Sequence, residues 1–272
     1  MRFYTNVQMV GDNFLVRGYE NGRHFMTKEK FYPTLFVPSN KKTKYKTLEG
    51  DYVESVQPGT VRDCREFIKK YEGVENFKIH GNTGYIYQYI SEMYPEEEIK
   101  FDTNKIKIST IDIEVASENG FPDVESAAEE VLLITVQDYA TKQIRTWGRG
   151  PFTNKQQNVI YKGFRTEYEL LSAFINWWMV EDNIPEVVTG WNSELYDMPY
   201  LVRRIERILG EKLMKRLSPW GLVTEREIFI ASKNIAYDVG GITQLDYLNL
   251  YKKFTYKAQE SYRLDYLSLI HI

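Results

Sequence analysis

The chain has 272 residues, 43% of them hydrophobic and 27% charged, with a formal net charge of −3. That is the balance of a globular protein long enough for two ordinary domains, and it excludes a disordered chain and, since no apolar run approaches the ~20 residues of a membrane helix, a bilayer-spanning one. One cysteine, Cys64, and three histidines, His24, His80 and His271, exclude an internal disulfide and a Cys/His zinc site, so any metal would be a hard cation such as Mg²⁺ or Mn²⁺ on carboxylate oxygens.

The first residues, Met1-Arg2-Phe3-Tyr4-Thr5-Asn6, lack the apolar stretch of a secretory signal, which predicts an intracellular protein without membrane attachment. The slightly acidic balance is not that of a protein that coats nucleic acid by charge alone. Two local segments nevertheless interleave cations with rings, Lys41-Lys42-Thr43-Lys44-Tyr45-Lys46 and Tyr251-Lys252-Lys253-Phe254-Thr255-Tyr256-Lys257. Each reads equally as a solvated face or as part of a strand track.

Residues 1–100 alternate in short stretches broken by turn signals: Asn6 to Val16, the Asn21-Gly22 turn, Phe31 to Val37 with Pro33 and Pro38, and Glu49-Gly50-Asp51. They predict a small β-rich domain. A helix capped by Thr60 is expected to Tyr71, with Val61, Cys64, Phe67 and Ile68 on one face. Gly81 to Tyr94 is tyrosine-rich and ambiguous. The Glu96-Glu97-Glu98 run reads as a solvated connection, which divides the chain into domains 1–100 and 101–272.

From Lys105 the pattern becomes α/β, with an α+β character over the whole chain. Strands are predicted at Ile106–Val115, Val131–Tyr139, Gln143–Trp147 and Val187–Trp191. Thr166-Glu167-Tyr168-Glu169 is a capping box for a helix whose stripe is Leu170, Leu171, Phe174, Ile175 and Trp178. A second helix is expected from Met198 to Leu209, stopped by Gly210. Glu225 to Ile242 alternates as a hairpin would, with its turn near Ser232-Lys233-Asn234. No internal repeat is present.

Two acidic constellations could carry chemistry. In Ile111-Asp112-Ile113-Glu114-Val115 the two acids are two residues apart on a strand and so share a face. They can hold a divalent cation, or simply form the water side of a strand with isoleucines behind it. At the carboxyl end of a sheet strand they occupy the edge where open α/β sheets place ligands. Asp197 lies just before a helix with Pro199 in its first turn, which suits an N-cap; the same loop could also bring it beside Asp112.

Asp112-Ile113-Glu114 with Gly120-Phe121-Pro122, followed by Gly190-Trp191-Asn192 and Asp197-Met198-Pro199-Tyr200, resembles the first and second exonuclease motifs of family B DNA polymerases, most closely those of T-even-like phages. Arg216-Leu217-Ser218-Pro219, Leu245-Asp246-Tyr247 with Leu250-Tyr251-Lys252-Lys253-Phe254, and Ser261-Tyr262-Arg263-Leu264-Asp265-Tyr266 follow in the family's order. The resemblance covers residues 105–267 well and the first hundred loosely, mainly through Tyr32-Pro33-Thr34-Leu35-Phe36.

The resemblance implies a ribonuclease H-like exonuclease domain behind a smaller β-rich domain, removing mispaired nucleotides from a primer 3′ end with two Mg²⁺ or Mn²⁺ ions. Asp112 would bridge both ions, and Glu114 and Asp197 would complete the metal and water contacts. Phe121 would lie against the frayed single strand, or else cover the core beside Pro122; Asn192 would touch the strand or order its own loop. Glu225–Ile242 corresponds to a hairpin that helps part primer from template. The family's third motif, with a tyrosine and a fourth aspartate, has no counterpart before Ile272, and Ser268–Ile272 does not resemble the family's continuation. A truncated polymerase fragment with weak or no exonuclease activity is therefore expected, acting on DNA in the cytoplasm of an infected bacterium, its full-length parent engaging a sliding clamp and other replisome proteins. Two alternatives stand beside it: a stand-alone nuclease using Asp246 or Asp265 as a further ligand, and a non-catalytic nucleic-acid or replisome interaction module.

Overall fold

The computed structural model describes residues 2–271 except 96–98, 119, 231, 256 and 257. The acidic run Glu96-Glu97-Glu98 and the end of the second basic-aromatic segment, Tyr256-Lys257, thus lie outside the described residues. The chain divides into two compact units, Met1–Asp102 and Thr103–Ile272. Among the described residues no helix is long and apolar enough to cross a membrane.

In the first unit, β1 (Arg2–Val10), β2 (Asn13–Glu20) and β3 (Arg23–Lys30) form an antiparallel meander. Asn21 and Gly22 both take positive φ, 50° and 78°, as the two-residue turn between β2 and β3 requires. The stretch Asn6–Val16 is not one strand: Gly11-Asp12 breaks it into a first hairpin, with Gly11 at φ 59°. A second antiparallel sheet joins β4 (Leu35–Pro38), β5 (Tyr45–Lys46) and β6 (Tyr52–Val56) in the order β4-β6-β5.

Helix α1 (Val61–Lys70) starts at Thr60 through a reciprocal capping box with Asp63 and buries Val61 and Cys64. The ambiguous tyrosine-rich segment forms α2 (Tyr85–Met93). Its Tyr89 ring stacks on Phe14 and meets Phe31 edge-on in the core of this unit. Two of the four lysines of the first basic segment lie over neighbouring rings, Lys44 above Tyr45 at 4.6 Å and Lys46 above Tyr52 at 4.7 Å.

The second unit is built on a six-stranded sheet ordered β10-β9-β8-β7-β11-β14. The strands are β7 (Ile108–Val115), β8 (Val131–Asp138), β9 (Ile144–Arg149), β10 (Val159–Phe164), β11 (Val187–Gly190) and β14 (Thr243–Asp246). All run the same way except β8, which is antiparallel to both neighbours. The carboxyl ends of β7, β11 and β14 therefore meet at one edge. Strand β7 begins two residues later than its apolar pattern predicts.

Helix α3 (Glu167–Trp178) carries the predicted Thr166–Glu169 capping box and buries all five stripe residues, Leu170, Leu171, Phe174, Ile175 and Trp178. Helix α4 (Asp197–Leu209) packs beside it and ends at Gly210, whose φ of 87° only glycine adopts freely. A short α5 (Glu211–Met214) follows, then a hairpin of β12 (Val223–Ile230) and β13 (Ser232–Val239), then α6 (Tyr247–Phe254) and α7 (Leu264–His271). The hairpin register pairs Ile230 with Ser232, so the reversal falls before Ser232 rather than at Ser232–Asn234, which already belong to β13.

One buried ion pair ties these layers together. Arg204 of α4 meets Glu167 of α3 through two hydrogen bonds, 2.6 Å from Nε and 2.7 Å from Nη2. Its Nη1 donates to the carbonyls of Ala127 and Ala128 at 3.0 and 2.9 Å, while Glu167 accepts the Val131 amide at 2.8 Å. Ala127, buried and at φ 40°, is thereby held in the left-handed region.

Candidate active site

The site starts as a fork between two parallel strands. Strand β7 pairs with β8 from Ser109 to Val115 but with β11 only from Ile108 to Thr110. Past Thr110 the amides on that side of β7 need another acceptor. The Ile113 amide finds one in Asp197, donating to Oδ1 at 3.0 Å. The Asp197 side chain is therefore not the predicted N-cap: Tyr196 occupies the cap position, and the carboxylate turns toward the sheet instead. Gly190 at the end of β11 makes the turn possible, because a Cβ there would stand 2.7 Å from the Ile111 carbonyl and from the Ser193 side chain.

Asp112 and Glu114 both face solvent while Ile111 and Ile113 are buried behind them, so the strand alternates as its sequence predicts. The two acids and Asp197 share one strand end. Asp197 is 4% exposed. Burial, with the charges of Asp112 and Asp246, pushes its carboxyl up to about 7, against the downward pull of the Ile113 amide. Asp112 is raised in the same direction by burial and then by Glu114; its open surface argues for a smaller effect than at Asp197.

Among the described residues no three His, Cys, Asp or Glu side chains are gathered closely enough to grip an ion as they stand. Still, the donor set is all oxygen: Glu114 raises Asp112, and Asp112 in turn raises Asp197, each after burial. Such a set fits a hard divalent cation.

The raised Asp197 carboxyl gives a pH prediction. The group's folded value lies above its ordinary 3.8, so its stabilising contribution is complete below pH about 4 and lost as pH rises through about 7. Melting temperature in EDTA should fall across that window, and Asp197→Asn should flatten the slope. Added Mg²⁺ should stabilise increasingly over the same range, because a metal takes the deprotonated carboxylate. Equal slopes in the wild-type chain and the variant would contradict the assignment.

Asn192 sits at the loop's first bend with φ 61°, a conformation asparagine tolerates. Its carbonyl accepts the amides of Leu195 and Tyr196 at 3.2 and 3.0 Å. From below, Asp246 at the end of β14 holds the loop: Oδ1 accepts the Asn192 amide at 3.1 Å and Oδ2 the Glu194 amide at 2.9 Å, while Oδ1 also caps α6 through Leu248 at 2.8 Å. Asp246, which the sequence offers as a further ligand for a stand-alone nuclease, is thus a loop anchor. Trp191 closes the same side, its Nε1 donating to the Tyr262 carbonyl at 3.0 Å and its ring lying against Tyr247 and Tyr251.

Phe121 is 84% exposed and leans on Tyr196 with ring centroids 5.1 Å apart. It covers no core; Pro122 is the buried member of that pair. Phe121, Asn192, Leu195 and Tyr196 line one side of a cleft of about 580 Å³, and Asn234 and Ile235 of β13 line the other. Asp123 and Glu125 also line this cleft, but Asp112, Glu114 and Asp197 do not. Tyr196 joins the two, since its hydroxyl is pushed up to about 12 by burial and then by Tyr200, Asp197 and Glu114. No pattern in the sequence singled out Tyr196. A larger cleft of about 650 Å³, along Arg65, Tyr71 and Phe77 in the first unit, contains none of the predicted site residues.

The second unit is thus an α/β protein with an acidic centre at the carboxyl edge of its sheet and an aromatic cleft beside it. The pattern that describes the exonuclease domain of DNA polymerase family B matches residues 75–267. The chain is 32% identical to the DNA-directed DNA polymerase of Escherichia phage RB69 over an alignment of 303 positions, covering 98% of this chain and 32% of that protein. Similarity to the DNA-directed DNA polymerase of Enterobacteria phage T4 is 31% over 291 positions, covering 97% and 32%. A shorter stretch, 36% of the chain, is 32% identical to the DNA polymerase catalytic subunit of human herpesvirus 7, strain JI. The chain belongs to the family B DNA polymerases and carries their exonuclease domain; it spans about a third of the length of the two phage polymerases.

Proposed function

We propose that the second unit is the ribonuclease H-like 3′→5′ proofreading exonuclease of a phage replicative polymerase, hydrolysing the terminal phosphodiester of a single-stranded primer end. The observation that carries this reading is the meeting of Asp197 with the Asp112–Glu114 strand at a fork in the sheet, within a region that matches the family's exonuclease domain. The strand order, with β8 alone reversed, supports the ribonuclease H-like assignment.

Asp112, Glu114 and Asp197 would hold two Mg²⁺ or Mn²⁺ ions. When bound, the ions supply an activated water and charge stabilisation at the leaving oxygen. Asp197 keeps its place through the Ile113 amide, so its second oxygen is the one free to turn toward an ion. Phe121 offers a base an exposed ring to stack on, and Asn192 is presented beside it by Asp246. In the parent polymerase, working in the cytoplasm of an infected bacterium, a sliding clamp and other replisome proteins would be the partners.

Because no three such side chains are gathered closely enough among the described residues to grip an ion as they stand, metal binding should be weak and cleavage slow. The test is to incubate the chain with single-stranded DNA labelled at its 5′ end, in Mg²⁺ or Mn²⁺, and to follow shortening. Stepwise loss from the 3′ end that disappears in EDTA is the expected result, slow in Mg²⁺ and faster at high Mn²⁺. Binding of the same DNA that survives EDTA, with no shortening in either metal, would favour a non-catalytic nucleic-acid module.

A further inference from the structure

The cleft beside the acids has a second wall, and that wall does not belong to the sheet. Asn234 and Ile235 stand on β13, in a hairpin that forms a two-stranded sheet with no further strand among the described residues. A free hairpin is marginal on its own; this one is seated by Tyr237 and Val239, buried in the core of the second unit, and polar ties then fix it against the loop of residues 191–197.

The polar ties between the hairpin and that loop converge on Glu194. Its amide is fixed by Asp246 at 2.9 Å. One carboxylate oxygen, Oε1, takes a hydrogen bond from Nη2 of Arg226 on β12, and the other, Oε2, accepts from Nδ2 of Asn249 on α6 at 2.8 Å. Arg226 in turn spans the hairpin, donating from Nε to Asp238 of β13 at 2.8 Å. A second tie runs from Arg203 of α4 to Glu225 at 3.0 Å, with the Tyr237 hydroxyl donating to the same carboxylate at 2.8 Å. The Arg203 tie anchors the hairpin to a helix behind the cleft. The Glu194 tie anchors it to the loop that carries Asn192 and Asp197.

We propose that Glu194 is a positioning residue, latching the β12–β13 hairpin through Arg226 to the 191–197 loop, so that the cleft for the primer end keeps a fixed width. The inference rests on the exonuclease reading of the site. It assigns Glu194 and Arg226 no contact with the reacting atoms. The pair is partly open to water, 39% at Arg226 and 23% at Glu194, so its worth to global stability is small. Its effect lies in geometry.

The chemistry supplies a discriminating test. If the two residues acted on DNA only by charge, Glu194→Gln would remove a repulsion and tighten binding, while Arg226→Gln would remove an attraction and weaken it. A latch moves both the same way. With the 272-residue chain in EDTA, fluorescence anisotropy on a duplex ending in three mismatches should give a roughly 5- to 10-fold weaker Kd for each variant. The double variant should be no weaker than the worse single, the non-additivity of two residues in one contact. Amide hydrogen exchange should speed up within residues 223–239 in both variants and stay unchanged in α3. Opposite shifts in Kd, an additive double variant, or unchanged exchange in the hairpin would overturn the latch. Failure of the exonuclease reading is recognised separately, by the absence of any EDTA-sensitive shortening of DNA by the wild-type chain.

Discussion

Asp197→Asn should make the protein more stable and less active at once. Asparagine keeps the oxygen that accepts the Ile113 amide and removes a charge that is 96% shielded from water among other carboxylates. At pH 8 without metal, where wild-type Asp197 bears its full burial penalty, the variant should melt several degrees higher. Cleavage of single-stranded DNA in Mn²⁺ should fall by about 100-fold or more, because a displaced or lost metal carboxylate costs at least that in alignment. Asp112→Asn should lose activity likewise, with a smaller gain in stability, since that side chain is open to solvent. Stored strain at a functional site predicts this inverse pairing. A variant that melts lower yet cleaves normally would remove Asp197 from the site.

The second large effect is structural. Arg204→Met should lower the stability of the second unit by about 3–5 kcal/mol, the range for breaking a buried ion pair from one side. For a unit of this size that is a drop in melting temperature of about 10 °C or more. Replacing both partners, Arg204→Met with Glu167→Gln, should recover only part of the loss. The carbonyls of Ala127 and Ala128 depend on the guanidinium, and the Val131 amide depends on the carboxylate. An urea titration checks both variants. A loss below about 1 kcal/mol for the single change would mean that the pair contributes little beyond its desolvation cost. The Arg204 clamp also fixes the end of the segment that presents Phe121, so the single variant should bind single-stranded DNA more weakly even where it remains folded.

Much of this architecture could be read from the chain. Period-2 alternation in Ile111–Val115 gave two acids on one face because a single strand settles that question locally. The Thr166–Glu169 box located the start of α3 to the residue, and the stripe from Leu170 to Trp178 its buried face, since caps and stripes are properties of consecutive positions. What could not be read depends on strands far apart in sequence. Asp197 looks like a cap because its neighbours are a loop and a proline; only the early parting of β11 from β7 supplies the Ile113 amide that claims it. Asp246 reads in the sequence as a candidate ligand, but its carboxylate holds amides 52 and 54 residues away. Glu167 shows as a first-turn acid in the sequence, with nothing to mark Arg204 as its partner. The hairpin turn reads near Ser232-Lys233-Asn234, and the strands close just before it, with Ile230 opposite Ser232, because Ser-Lys-Asn is a good turn sequence that here continues a strand.

The fork between β7 and β11 has one more consequence, for observation rather than chemistry. It makes the Ile113 amide proton a resident sensor of the carboxylate it serves. That proton is shielded from solvent, sits between a strand and a helix terminus, and donates to one oxygen of Asp197. Its nuclear resonance will therefore shift downfield as Asp197 ionises and move again when a cation draws charge from the same group. A single labelled isoleucine thus reports, residue by residue and without turnover, whether the acidic centre is protonated, bare or filled.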